Sequence, residues 1–353
     1  MANNNPRGVL LVGSIPLADT KEVLNTTAEI LGAYVRRIPD GETGERTNWI
    51  HWQYPKLRQH PDLEPNPDSR VLDVPSSKDG QATTLEVRPL RIRPGVDPNT
   101  IRFSAGYAEH AITSYATFAN MKRDGLIPTD VRFQVSIPTP FAIMTAYIAR
   151  QAQLEFLPVI ERSLIAEVEQ IANAIPHQEL AIQWDVCLEV IAWEGVYKIA
   201  TDEPKALILS MLGRLGNAVP ADVELGFHLC YGDPGHRHIV EPKDTTVMTE
   251  IANGIAREVQ RPIQWLHLPV PKDRADLAYF EPLRKLSLPA ETELYLGLVH
   301  NTDGIDGARA RIEAASTVVP TFGVATECGF GRRPPDTVRP LLQLHAECCQ
   351  PIR

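Results

Sequence analysis

The strand-like stretches of this chain are apolar throughout instead of alternating. LAIQWDV (180–186), ELGFHLCY (224–231), IQWLHLPV (263–270) and ELYLGLV (293–299) leave almost no polar face. A strand with one wet face alternates, whereas a continuous apolar run needs cover on both sides, as in a parallel sheet flanked by helices. The intervening segments supply that cover. Over 154–174, Leu157, Ile160, Leu164, Ile165, Val168 and Ile171 recur with helical spacing. In the second half, strand and helix alternate about every 30 to 45 residues.

GVLLVGS (8–14), YVRRIP (34–39), VRFQVSIP (131–138) and TFGVATEC (321–328) bring the strand count to eight. Eight β/α units predict a single α/β domain over 1–353, a (β/α)8 or TIM barrel. An open doubly wound sheet is the alternative, but no GxGxxG or Walker sequence follows a strand. Residues 55–100 are rich in Pro, Asp and Arg and break the rhythm. They are expected to form an insertion after the second strand, with a hairpin in TTLEVRPLRIRP (83–94).

A formal charge of -9 over 353 residues argues against a nucleic-acid backbone as partner. The opening MANNNPRGVLLVGS lacks a basic n-region, and no apolar run reaches membrane-spanning length. Five scattered cysteines do not resemble a secreted disulfide framework. Together these features predict a cytoplasmic protein acting on a small molecule, and they give no subunit number.

Barrel enzymes work at the C-terminal ends of their strands. Those ends read Ser14, Asp40 with Glu42, Pro138, Asp185 with Cys187, His228 with Cys230, His267, His300, and Glu327 with Cys328. His228 and Cys230 lie two apart, so their side chains share a face. Imidazole and thiolate are favoured zinc donors, and Cys328 on the last strand is a candidate third ligand. Asp40, Glu42 and Arg46, in PDGETGER, are candidate substrate contacts together with Ser14. Asp40 and Asp185 are also candidate catalytic groups, and the two glycines of PDGETGER suit an ordinary turn as well. His300 is a candidate acid or base, and Asp303 a helix N-cap. Arg332 and Arg333 suit bidentate recognition of a carboxylate or phosphate. Trp49, Trp52 and Trp193 are candidates to line the mouth. His236 and His238 are possible further ligands, and Glu327 is a residue that could orient one.

Four ordered motifs resemble the catalytic barrel of the cobalamin-independent methionine synthase family. LLVGSIP resembles its barrel-opening Gly-Ser-Phe-Pro, and AIQWDVCLEV its Gln-Ile-Asp-Glu-Pro strand. GFHLCYGD resembles its His-x-Cys-Tyr zinc motif, and ATECGFGRRP its Asp-Cys-Gly turn. The resemblance implies zinc held by His228, Cys230 and Cys328. It also implies transfer of a methyl or larger alkyl group to a thiol whose pKa the zinc lowers. Asp185 resembles the residue that binds the amino-acid substrate, but its acidic neighbour is replaced by Val186. The family's glutamate ligand has no counterpart in WLHLPVPKDRAD, where His267 lies near the expected position. His267, water or substrate then completes the zinc site. The family's N-terminal barrel has no counterpart in this chain. These departures keep open a zinc-dependent lyase, hydrolase or isomerase on a small metabolite. A metal-free barrel of the uroporphyrinogen decarboxylase type, using Asp40, Asp185 and Arg46, is a further alternative.

Overall fold

The computed structural model describes residues 6–78, 81–232 and 238–353. Seven strands form one all-parallel sheet, in the order β1 (Arg37–Pro39), β6 (Arg132–Pro138), β7 (Leu180–Val186), β8 (Glu224–Leu229), β9 (Trp265–Pro269), β10 (Glu293–Gly297) and β11 (Gly323–Val324). Four shorter-range strands lie between β1 and β6. Of these, β2 (Leu63–Pro65) pairs antiparallel with β5 (Leu90–Ile92), and β3 (Leu72–Lys78) with β4 (Gln81–Val87). The hairpin therefore lies earlier than expected, and residues 83–94 are divided between two small sheets.

β6, β7 and β9 are buried almost end to end, as their apolar runs require. Helices cover the sheet: Gln153–Ala174 follows β6, Pro204–Ala218 follows β7, Thr246–Glu258 follows β8 and Gly304–Ser316 follows β10. Each buries one apolar stripe in a core that runs through the molecule. None of the described helices is long and apolar enough to cross a membrane.

The expected first strand, 8–14, is not a regular strand. It makes isolated parallel bridges from Val9 to both Val35 and Val324, and from Ser14 to Gly41. The cause lies in polar side chains of the sheet interior. Gln134 Nε2 donates to the Leu11 and Val12 carbonyls at 3.0 and 3.1 Å. Ser136 Oγ and Gln183 Nε2 also donate to the Val12 carbonyl, at 2.8 and 2.6 Å. With those carbonyls turned toward interior side chains, the segment joins its neighbours through backbone bonds at Val9, Leu10 and Ile15. The sheet is thus curled, with seven regular strands and a bridging segment between β11 and β1.

At the other end of the sheet, buried Arg37 bonds Glu224 through Nε at 3.1 Å and Glu293 through Nη2 at 3.2 Å. Its guanidinium also stacks 4.1 Å from the Trp265 ring centroid. The strand ends opposite this cluster carry His228, Asp185 and the other candidate site residues.

Candidate active site

His228 lies in the last residues of β8 and Cys230 one residue beyond it. The Cys230 amide donates to the Val186 carbonyl at 2.9 Å, which prolongs the strand geometry and keeps both side chains on one face. Cys328 arrives from beyond β11, in a turn that packs on Ser14. There a Cβ at Gly329 would lie 2.3 Å from Ser14 Oγ, and one at Gly331 2.8 Å from it. Glycine at these two positions is what allows the Cys-Gly-Phe-Gly turn to approach. The donor atoms of His228, Cys230 and Cys328 all fall within 4.8 Å of one another.

Each member of this group is conditioned by its surroundings. His228 Nδ1 lies 2.6 Å from His267 Nδ1, which leaves Nε2 as its free nitrogen. Burial, then the neighbouring His267, holds the His228 pKa well below the usual histidine range, so the ring is neutral and a lone pair is available. The Gly232 amide donates to Cys230 Sγ at 3.2 Å, and Arg332 Nη2 approaches Cys328 Sγ at 3.5 Å. Each sulfur thus accepts a hydrogen bond from within the site.

His267 is not part of this group among the described residues. It is fully buried behind His228, and burial holds its pKa down to about 3 against a backbone contact from Thr326. Its position is that of a ring that fixes another ring.

Two carboxylates line the same cavity, together with Ser14, Trp49, Cys187 and Arg332. Asp185 accepts from Gln183 Nε2 at 2.9 Å, and Trp265 Nε1 holds the other end of that amide at 3.2 Å. Burial, then Glu42, raises the Asp185 pKa well above the usual range, with Cys328 adding to the effect. Glu42 is pushed up to about 7, chiefly by burial, against the attraction of Arg46 and Arg332. Its backbone has φ 49°, a left-handed conformation that is costly for a non-glycine residue.

Asp40 and Arg46 support Glu42 and do not line that cavity. Arg46 donates to Asp40 through both terminal nitrogens, at 3.3 and 2.7 Å. Ser114 Oγ donates to Asp40 at 2.7 Å, and so does the Glu42 amide at 2.9 Å. With so many donors, the Asp40 carboxylate is an anchor that holds the strained Glu42 backbone in place.

His300 opens onto a second cavity of about 600 Å³, which shares Cys328 with the first. Its Nε2 lies 2.9 Å from the Val270 carbonyl, and burial, then Arg311, lowers its pKa to about 3. Glu327 in the same cavity meets His238 Nε2 at 2.8 Å. Burial opposes charge on His238, but Glu327 and Glu241 outweigh it and raise the pKa to about 9. Asp303 precedes its helix as expected, yet its carboxylate bonds Arg311 at 2.6 and 3.0 Å instead of capping the helix. His236 lies outside the described residues. Trp52 packs against Tyr107, and Trp193 donates to Glu250, so of the three tryptophans only Trp49 lines the site cavity.

Sequence reasoning placed Cys187 at a strand end without giving it a role, and it overlooked Gly232 and the reach of the β3–β4 hairpin as walls of the site. Cys187 carried a signal, since it lies two beyond Asp185. The hairpin carried none, because nothing in its residues says what it folds over.

No protein-family profile matches the chain, and no curated protein does. Among solved structures 21 chains match. One is a Listeria monocytogenes protein provisionally named as a vitamin-B12-independent methionine synthase, 14% identical, covering 97% of this chain and 99% of its own, with a TM-score of 0.55. At that identity the likeness establishes a shared fold, in which this chain is a mixed α/β protein with a curled parallel sheet.

Proposed function

We propose that this chain is a zinc-dependent transferase that moves a methyl or larger alkyl group to a thiol, working at the mouth of a (β/α)8-type barrel. The observation that carries this reading is the convergence of His228, Cys230 and Cys328, with donor atoms within 4.8 Å. Two sulfurs and a neutral imidazole are a donor set suited to zinc, and three protein ligands leave a place for substrate. Zinc held there would lower the pKa of an incoming thiol and so supply a thiolate at neutral pH.

The surrounding residues have defined tasks. Glu42, with a pKa of about 7, is matched to accept the proton a thiol gives up. Burial and the neighbouring Glu42 raise the Asp185 pKa, which opposes a second full negative charge in the buried cavity. The sulfur then forms a bond to the alkyl carbon as the bond from that carbon to its leaving group breaks, and the leaving group takes up a proton. Arg332 lines the cavity beside Cys328 and balances negative charge. Ser14 Oγ accepts from the Gly331 amide at 3.2 Å and holds the Cys328 turn against the opening segment.

Cobalt(II)-loaded protein tests this reading without knowledge of the donor. Sulfur-to-cobalt absorption should intensify when a thiol is added, and less so in Cys230→Ser. A spectrum indifferent to thiols, together with alkyl transfer undetectable for any thiol, would favour the lyase, hydrolase or isomerase alternative.

A further inference from the structure

A chamber of about 400 Å³ adjoins the cavity of the candidate metal site and shares Trp49, Cys187, Gly232 and Arg332 with it. Its volume falls in the range of small-molecule pockets. Its outer wall is the excursion between β1 and β6. In β3, Leu72, Val74 and Ser76 are half-buried while Asp73 and Pro75 are more exposed. Val74, Pro75 and Ser76 line the chamber, opposite Ala146, Leu188 and Ile239. A hydrogen bond of 3.0 Å between His51 Nδ1 and Ser76 Oγ fastens the hairpin to the site wall.

The charge pattern of this chamber is decisive. Among the described residues no carboxylate lines it, and Arg332 is its one formal cation. Arg332 is already directed at Cys328. His51 adds no charge, because burial, then Arg332, holds its pKa down to about 4. A polyanionic tail buried there would lack the partners that desolvated charge requires.

We propose that this chamber is a substrate subsite for a neutral apolar group, such as an aryl or branched alkyl substituent, with the β3–β4 hairpin as its specificity-determining wall. The proposal rests on the transferase reading for what enters the neighbouring cavity, but the chamber can be tested separately.

Two thiols, phenylmethanethiol and cysteine, are titrated calorimetrically into the zinc-loaded full chain. Phenylmethanethiol should bind at least about tenfold more tightly, the scale of burying one aromatic side chain. Val74→Asp should remove that preference while leaving zinc content and the cysteine affinity within about twofold. Ala146→Phe, which fills the chamber, should do the same and guards against a folding defect in the first variant. Equal affinities in the unsubstituted protein, or a preference that survives both substitutions, would overturn the proposal. If the protein takes up no zinc, the transferase reading fails. Titration of metal-free protein with benzyl methyl ether then decides the chamber alone: binding abolished by Val74→Asp supports it, and no binding overturns it.

Discussion

Replacing His267 with leucine removes its hydrogen bond to His228 and its backbone contact with Thr326, and keeps the site's volume nearly unchanged. In the folded protein His267 Nδ1 lies 2.6 Å from His228 Nδ1, and the ring centroids are 4.8 Å apart. Both rings are neutral at pH 7.5, since burial lowers both pKa values, so the substitution removes no charge. What disappears is the contact that fixes the ring orientation of His228 and its protonated nitrogen. Loss of such a partner typically costs 10- to 100-fold in metal affinity, or about 1.4 to 2.7 kcal/mol. Competition against a chromophoric chelator at pH 7.5 measures this directly. His267→Leu should still bind zinc, about 10- to 100-fold more weakly. Cys230→Ser and Cys328→Ser, which delete ligands, should lose considerably more. Unchanged affinity in His267→Leu would refute the orienting role. A loss as large as that of Cys230→Ser would make His267 itself a ligand.

Three further outcomes follow from other parts of the structure. Glu189 is fully buried, and burial, opposed by bonds from Thr139 and the backbone, raises its pKa to about 7. A raised carboxyl pKa favours the native state below the unfolded value near 4.5, and that contribution is lost as pH rises to about 7. Glu189→Gln should therefore be more stable than the parent at pH 8, by up to about 3 kcal/mol, and little different at pH 4, as read by urea unfolding. A Cβ at Gly226 would lie 1.9 Å from the Trp265 ring, and both residues are buried in register on β8 and β9. Gly226→Ala should cost about 1–3 kcal/mol or more in the same assay, and an unchanged midpoint would contradict the packing. Arg37→Met removes the buried guanidinium that joins Glu224 to Glu293 at the far end of the sheet, leaving Glu224 paired with Arg132 and Glu293 with Arg36. Because those glutamates keep an arginine each and retain some solvent, the loss should be roughly 1–2 kcal/mol by urea unfolding at pH 7, and an unchanged midpoint would contradict a stabilising role for the cluster.

How far the sequence could be read depended on which interactions decide each element. β7, expected over 180–186, occupies those residues because a continuous apolar run has one stable environment. The helix expected over 154–174 spans Gln153–Ala174 for the same reason. The segment 8–14 looks equally strand-like, yet its carbonyls go to Gln134, Ser136 and Gln183, more than a hundred residues away. No local pattern announces such a partner. TFGVATEC shortened to two strand residues, and one of them, Gly323, packs directly on the Tyr295 ring, where a Cβ would lie 2.4 Å away.

The site divides along the same line. His228 with Cys230 was legible because strand periodicity alone puts both on one face. Cys328 was legible only through topology, since its strand end had to lie near theirs. Asp40 and Arg46 read as substrate groups because a polar strand end looks alike whether it faces a ligand or anchors a loop. His267 could be a ligand or a support in sequence, and only the orientation of its ring distinguishes these. The apolar chamber depends on where a hairpin folds back, which its own residues do not encode.

The most direct test of the account is the zinc content of the purified protein by elemental analysis, beside Cys230→Ser and Cys328→Ser prepared identically. The account predicts about one zinc per chain in the unsubstituted protein, with most of it lost in either variant and secondary structure retained. Protein that stays metal-free after incubation with zinc, or variants that hold zinc as well as the parent, would contradict it.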